Sequence, residues 1–260
     1  MPPSASGPDV SHPSPSPFRA AHPSPPLSAP AVHALRCALK RADIRLFMAT
    51  VLLFSLFPAL DPAFSALFFD PVSRTFIGRD IPFDRFVYVA TPVIGWLSFA
   101  LVSGLALYFL ATAPQLRRLA HARRSLFLLA VLVAGPGFGA IVLKDHWGRG
   151  RPIHVEQFGG TAHFTPALLP ADQCHRNCSF VSGHAATAFC FMAFAWVFPR
   201  RRRLLFSAGL ALGATVGLVR IMQGAHFLSD VLFSGWMIYG VCCAVAFAMH
   251  RRGRWTGTGA

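Results

Sequence analysis

Six apolar segments constrain this chain more than anything else in it. They fall at about residues 44–60, 86–113, 126–143, 182–198, 204–219 and 227–249. A helix needs about 20 predominantly apolar residues to cross the hydrocarbon layer of a membrane, and most of these segments supply them. The fourth and fifth are shorter and would span if boundary residues continue the helix. Hydrophobic residues make up 54% of the chain and charged ones 13%, a balance foreign to soluble domains. The predicted fold is all-α: a polytopic membrane protein with six transmembrane helices in one bundle.

Short basic clusters set the orientation. Arg36, Lys40, Arg41 and Arg45 precede the first segment, and Arg117, Arg118, Arg123 and Arg124 separate the second from the third. Arg200 to Arg203 separate the fourth from the fifth, and Arg251, Arg252 and Arg254 follow the sixth. With six spans all four clusters share one side, which predicts that this side, with both termini, is cytoplasmic. The net charge of +14 therefore reads as topology signal and attraction to anionic lipids, not as a nucleic-acid surface. Residues 1–35, rich in Pro, Ser and Ala, predict a disordered tail without the apolar core or cleavage site of a signal peptide. The membrane domain is expected over 36–250 and a cytoplasmic tail over 251–260.

The opposite side receives residues 61–85, the long connection 144–181 and a turn around Gly224. Within 62–69, apolar residues three and four apart suit a short interfacial helix, or equally a bulky loop. Gly135 and Gly139, and Gly209, Gly213 and Gly217, recur every four residues and predict close helix packing within the chain. Pro136 predicts a kink. Cys174 and Cys178 are near enough for a disulfide, although two free thiols fit as well. Zinc binding with His163 or His175 lacks a four-ligand spacing.

Chemistry concentrates on this side. Arg220, His226 and Asp230 lie between two apolar runs, with His226 and Asp230 four apart on one face of a helix. That pattern fits an ion pair at a helix end, or an imidazole whose tautomer a carboxylate fixes. Lys144, Arg149 and Arg151 fall within eight residues where the positive-inside rule predicts few cations, which suggests an anion that compensates them. Ser182-Gly183-His184 opens the fourth segment; free N–H groups at a helix start make an anion site, although a simple cap reads equally. The set suits phosphoryl transfer: Lys144, Arg151 and Arg220 neutralise phosphate oxygens while a His attacks phosphorus. No acidic cluster marks a metal site, so protein cations are expected to do the work of magnesium.

Lys144 with six residues before Arg151-Pro152, then Ser182-Gly183-His184, then Arg220 with five residues before His226 and three more before Asp230, resembles the type 2 phosphatidic acid phosphatase superfamily. The resemblance implies a metal-free, cofactor-free phosphatase working through a phosphohistidine. It implies His226 as nucleophile, Asp230 as its orienting partner and His184 as general acid, with Lys144, Arg151, Arg220, Ser182 and the Gly183 amide holding the phosphate. Val181 stands where the family usually has Pro and Val219 where it usually has Ser; the second change removes one hydrogen bond, worth about 1 kcal/mol. The segments 144–152 and 177–184 look similar to bacterial lipid A 1-phosphatases. The implied substrate is a lipid phosphate at the periplasmic face of the inner membrane. Undecaprenyl pyrophosphate and phosphatidylglycerophosphate phosphatases share this chemistry, as do phosphotransferases to a second lipid. A non-catalytic lipid binder or transporter would keep the cations without needing His184, His226 and Asp230. His154, Glu156, His163 and Asp172 are either head-group selectors or solvated loop residues. The sequence leaves oligomeric state open.

Overall fold

Proline and glycine placement dictates where the helices begin and bend. The computed structural model describes residues 41–112 and 116–251; the predicted N-terminal tail and nearly all of the C-terminal one lie outside the described residues. The chain divides into units Met1–Arg45 and Leu46–Ala260, and of the first only residues 41–45 are described. Helix α1 (Ala42–Leu56) meets α2 (Leu60–Ala66) at an angle of 83°. Pro58 lies in the break, where it has no N–H to continue the ladder. The sequence leaves 62–69 open between helix and loop, and α2 covers its first part. A two-stranded hairpin follows, β1 (Phe69–Asp70) with β2 (Thr75–Phe76), pairing Phe69 with Phe76 and Asp70 with Thr75. With an isolated bridge between Val155 and Ala162, it departs from an all-helical fold. The Asp70 carboxylate closes its turn, accepting from the Val72 N–H at 2.9 Å and the Ser73 hydroxyl at 2.7 Å.

Helix α3 (Pro82–Ala111) starts with Pro at its first position, where no intrahelical N–H is needed. Helix α4 (Leu116–Leu132) passes through a π-helical stretch, Val133–Gly139, into α5 (Ala140–His146). Pro136 sits in that stretch, so the predicted kink appears as a widened turn. Arg118, Arg123 and Arg124, predicted in a loop, belong to α4, because the charged start simply continues the helix. Helix α6 (Gly183–Val197) is short, followed by α7 (Arg202–Met222) and α8 (Leu228–Arg251).

Four stretches are long and apolar enough to cross a membrane: Pro82–Ala111, Arg118–His146, Pro199–Met222 and Leu228–His250; the bent pair α1–α2 makes up to five. Helix α6 falls short of that length, since it starts at a capped residue and stops before Pro199. Trp96, Leu97, Leu101 and Leu107 of α3 stand exposed, an apolar face that suits lipid.

The glycine stripe acts inside the chain, as its spacing predicts. A Cβ on Gly209 would lie 2.4 Å from the Met192 backbone, one on Gly213 2.0 Å from the Phe189 ring, and one on Gly217 2.2 Å from Val231. Helix α7 is thereby pressed against α6 and α8. Gly135 and Gly139 admit Ile238 and Met237 of α8 in the same way. This packing brings the starts of α6 and α8 and the end of α7 to one end of the bundle.

Candidate active site

The connection from α5 to α6 folds over that end and is fixed at several points. The Trp147 indole donates to the Ala167 carbonyl at 2.7 Å and stacks on Phe180 with centroids 4.9 Å apart. Gly148 has φ +67°, and a Cβ there would lie 1.6 Å from the Ala171 carbonyl oxygen, so only glycine fits. Cys174 and Cys178 form a disulfide, which settles that pair.

Arg149 is the largest fully buried side chain among the described residues. Its Nη1 donates to Asp230 at 2.5 Å and to the Ser229 hydroxyl at 2.9 Å, its Nη2 to Asp61 at 2.7 Å, and its Nε to the Thr165 carbonyl at 2.9 Å. The Phe227 ring covers it at 4.4 Å. Burial works against the charge, but Asp230 and Asp61 outweigh it and the guanidinium pKa is raised. Arg149 therefore does not join Lys144 and Arg151 in facing an anion, as its place in the sequence suggests. Two carboxylates already neutralise it.

Both carboxylates also cap α8. Asp230, in the first turn, reaches back to the Phe227 N–H at 2.8 Å, the reciprocal half of a capping box. Asp61 accepts from the Ser229 N–H at 2.9 Å and the Ser229 hydroxyl at 2.5 Å. Negative charge at a helix N-terminus is favourable, and here it fixes the residues that follow His226.

His226 is almost fully buried. Its Nδ1–H donates to the Ser179 carbonyl at 2.8 Å, whereas Asp230 Oδ2 is 3.7 Å from the same nitrogen. The Ser179 hydroxyl in turn donates to Asp230 Oδ2 at 2.5 Å. The carboxylate thus orients His226 at one remove, through Ser179, a residue the motifs do not mark. A proton held on Nδ1 leaves the Nε2 lone pair free. Burial, reinforced by the charges of Lys144 and Arg220, pushes the His226 pKa down to about 3 although Asp230 works against it. The imidazole is neutral at physiological pH.

Two of the motif cations, Lys144 and Arg220, act on the His226 ring through their charge, and neither they nor Arg151 have a carboxylate within ion-pair distance among the described residues. Lys144 Nζ donates to the Cys178 carbonyl at 2.9 Å and the Asn177 side chain at 3.2 Å. A Cβ at Gly183 would meet Lys144 Cε at 3.4 Å, an ordinary contact, so Lys144 packs beside the start of α6 without requiring the glycine. Arg151 donates to the Asn177 carbonyl at 2.7 Å. Arg220 donates to the Gln223 side chain and lies 4.8 Å above the Tyr88 ring. Its buried Nε has no hydrogen-bond partner among the described residues, and such an orphan donor calls for an explanation such as a ligand.

Ser182 is the N-cap of α6, its hydroxyl oxygen accepting from the Ala185 N–H at 3.4 Å; its own hydrogen stays available to an anion. His184 stacks on Tyr88 with centroids 5.2 Å apart, and its Nε2–H donates to the Tyr88 carbonyl at 3.1 Å. Tyr88 therefore lies between His184 and Arg220, a role no motif announces. A polar cavity of about 310 Å³ opens here, lined by Arg151, Arg220, Tyr88 and Gln223 together with Arg79, Arg85 and His154. A second, apolar cavity of about 220 Å³ lies farther along α3 and α6, with Thr91, Gly95, Thr187 and Phe191 in its wall. Of the loop residues considered for head-group selection, only His154 lines the polar cavity; Glu156 and His163 pair with each other at 3.1 Å on the surface.

The sequence model described as PAP2 superfamily matches residues 124–255, which takes in every one of these residues from Lys144 to Asp230. The chain belongs to the PAP2 superfamily. It is 36% identical over 203 residues to a lipid A 4'-phosphatase of Francisella tularensis subsp. novicida, covering 76% of this chain and 90% of that protein. A lipid A 4'-phosphatase of Rhizobium leguminosarum is 33% identical over 228 residues, covering 78% and 93%. A lipid A 1-phosphatase of Rhizobium etli is 37% identical over 125 residues, 46% of this chain and 49% of that protein. No solved structure matches the chain. With its superfamily and these relatives, the protein is a membrane phosphatase.

Proposed function

We propose that the protein hydrolyses a phosphate monoester on a lipid A-type head group through a phosphohistidine on His226. The observation that carries this reading is the Nδ1–H bond of His226 to the Ser179 carbonyl, which leaves Nε2 as an unprotonated nucleophile among three unneutralised cations. In the first step the Nε2 lone pair attacks phosphorus, the N–P bond forms and the P–O bond to the lipid breaks. His184 becomes protonated as the bound phosphate's negative charge offsets Arg220, Lys144 and Arg151, and it gives that proton to the leaving oxygen; with Nε2–H held by the Tyr88 carbonyl, Nδ1 is the nitrogen that donates. In the second step His184 takes a proton from water, water oxygen bonds to phosphorus, the N–P bond breaks and phosphate leaves. Lys144, Arg151, Arg220, Ser182 and the Gly183 amide hold the phosphoryl oxygens, the kind of preorganised field that supplies most of the barrier reduction in such reactions. No metal or cofactor enters.

The apolar cavity beside the site offers room for an acyl chain, in keeping with a lipid substrate. The wider coverage of the 4'-phosphatase relatives favours the 4'-phosphate over the 1-phosphate that the loop motifs suggest. In the membrane the reading places six spans over 36–250, counting α1–α2 and α6, with a tail over 1–35, both termini cytoplasmic and the site at the periplasmic face of the inner membrane. The charge clusters support this orientation. Phosphate release by purified protein from lipid A, undecaprenyl pyrophosphate, phosphatidic acid and phosphatidylglycerophosphate, side by side, tests the reading. Lipid A turnover with loss of the 4'-phosphate is expected; turnover of the other three alone overturns the substrate class, and transfer to a second lipid without free phosphate overturns hydrolysis.

A further inference from the structure

Arg79 and Arg85 line the polar cavity with Arg151, Arg220 and His154, and no carboxylate shares its wall. Arg79 ends the short turn after β2, and Arg85 lies in the first turn of α3. Neither has a carboxylate within ion-pair distance among the described residues. Asp84, next to Arg85, is buried, and its Oδ2 lies against Gly78. The catalytic phosphate needs only the Arg151 and Arg220 side of this cavity, yet four guanidiniums and an imidazole meet around about 310 Å³, a volume at the lower end of ligand pockets, roughly 300–1,000 Å³. Guanidiniums that face a shared space without counter-charge are suited to bidentate capture of phosphate.

We propose that Arg79 and Arg85, with His154, form a second anion subsite that takes another phosphate of the same lipid substrate while the scissile one sits on Lys144, Arg151 and Arg220. This rests on the phosphatase reading above. The relatives' names give one lipid two phosphorylated positions, 1 and 4', so a substrate with two anionic groups is available to such a site. The subsite makes the enzyme selective for the doubly phosphorylated head group.

The test uses full-length His226→Ala protein in detergent, which binds without turnover, and compares lipid A carrying both phosphates with lipid A carrying one. The arginines are expected to give about ten-fold or more tighter binding of the doubly phosphorylated lipid, the scale of a lost charge-assisted contact. Arg79→Gln with Arg85→Gln removes that difference, and Arg79→Lys with Arg85→Lys restores part of it. Both arginines are exposed, so these changes leave the fold intact. A preference that survives the Gln pair overturns the proposal, as does an equal loss for both lipids, which marks mere attraction to an anionic surface. Phosphate release by the protein with His226 in place is scored separately: release without binding discrimination sinks the subsite alone, and discrimination without release sinks the phosphatase reading alone.

Discussion

Arg149 and Asp230 meet at 2.5 Å with neither side chain open to solvent. The pair joins the loop after α5 to the start of α8, and Asp61 adds α2 to the same guanidinium. His226, four residues before Asp230, is positioned by what this pair holds.

Breaking a buried pair by removing one partner costs about 3–5 kcal/mol because a charge is left uncompensated. Arg149→Met is therefore expected to lower the melting temperature in detergent sharply and to abolish activity. Arg149→Lys should fare little better, since one ammonium cannot reach Asp61, Asp230, Ser229 and the Thr165 carbonyl together. Thermal unfolding and phosphate release measured on both variants check this; a Lys variant with full stability contradicts the clamp.

Ser179 and Asp230 are expected to differ. Ser179→Ala removes the hydroxyl donated to Asp230 but keeps the carbonyl that holds His226, so stability should drop by about 1–3 kcal/mol while kcat stays within about ten-fold. Asp230→Asn disturbs Arg149, the Phe227 cap and Ser179 at once, and both stability and kcat should fall steeply. Comparable kcat losses in the two variants would mean that the carbonyl contact is not what orients the imidazole.

Arg220 has no carboxylate to lose. Arg220→Ala should leave the melting temperature near that of the unaltered protein and lower kcat/KM by about 10²–10³, the scale of one lost oxyanion donor. A large loss of stability with unchanged kcat/KM assigns Arg220 to structure instead.

The pKa of His226 gives a pH dependence with a fixed sign. Its folded value, about 3, lies below the unperturbed value of about 6.5, so below pH 6.5 the unfolded chain takes up a proton that the folded one refuses. Stability from this residue is complete above pH 6.5 and declines as pH falls toward 3. Over the same range the nucleophile stays neutral in the folded protein, so protonation of His226 should give kcat/KM no acid limb between pH 7 and 5 while the protein remains folded. Melting temperature and kcat/KM followed from pH 8 to 5 check both statements.

The three motifs were legible because each is local: Lys144 to Arg151, Ser182 to His184 and Arg220 to Asp230 are short patterns whose spacing alone reports them. The glycine stripe on α7 was legible for the same reason. Asp61 and Arg149 were not. Their partners lie 88 and 81 positions away in sequence, and nothing near Asp61 distinguishes it from a solvated acid at a helix end. Arg149, flanked by two cations, reads as a third of the kind until the fold brings two carboxylates to it. Tyr88 and Ser179 act partly through backbone carbonyls, which leave no mark on residue type, and their side-chain partners are far away in sequence. The shortness of α6 was legible too: the fourth segment, 182–198, reads as one of the two short ones, and the helix covers Gly183–Val197.

The most direct measurement is rapid quench of the purified protein turning over lipid A labelled with ³²P at the scissile phosphate. The account predicts a protein-bound label, stable to alkali and labile to acid, on the peptide that contains His226, absent in His226→Ala and accumulating when His184→Ala slows its hydrolysis. A label retained by His226→Ala, or turnover with no labelled protein at any time, contradicts it.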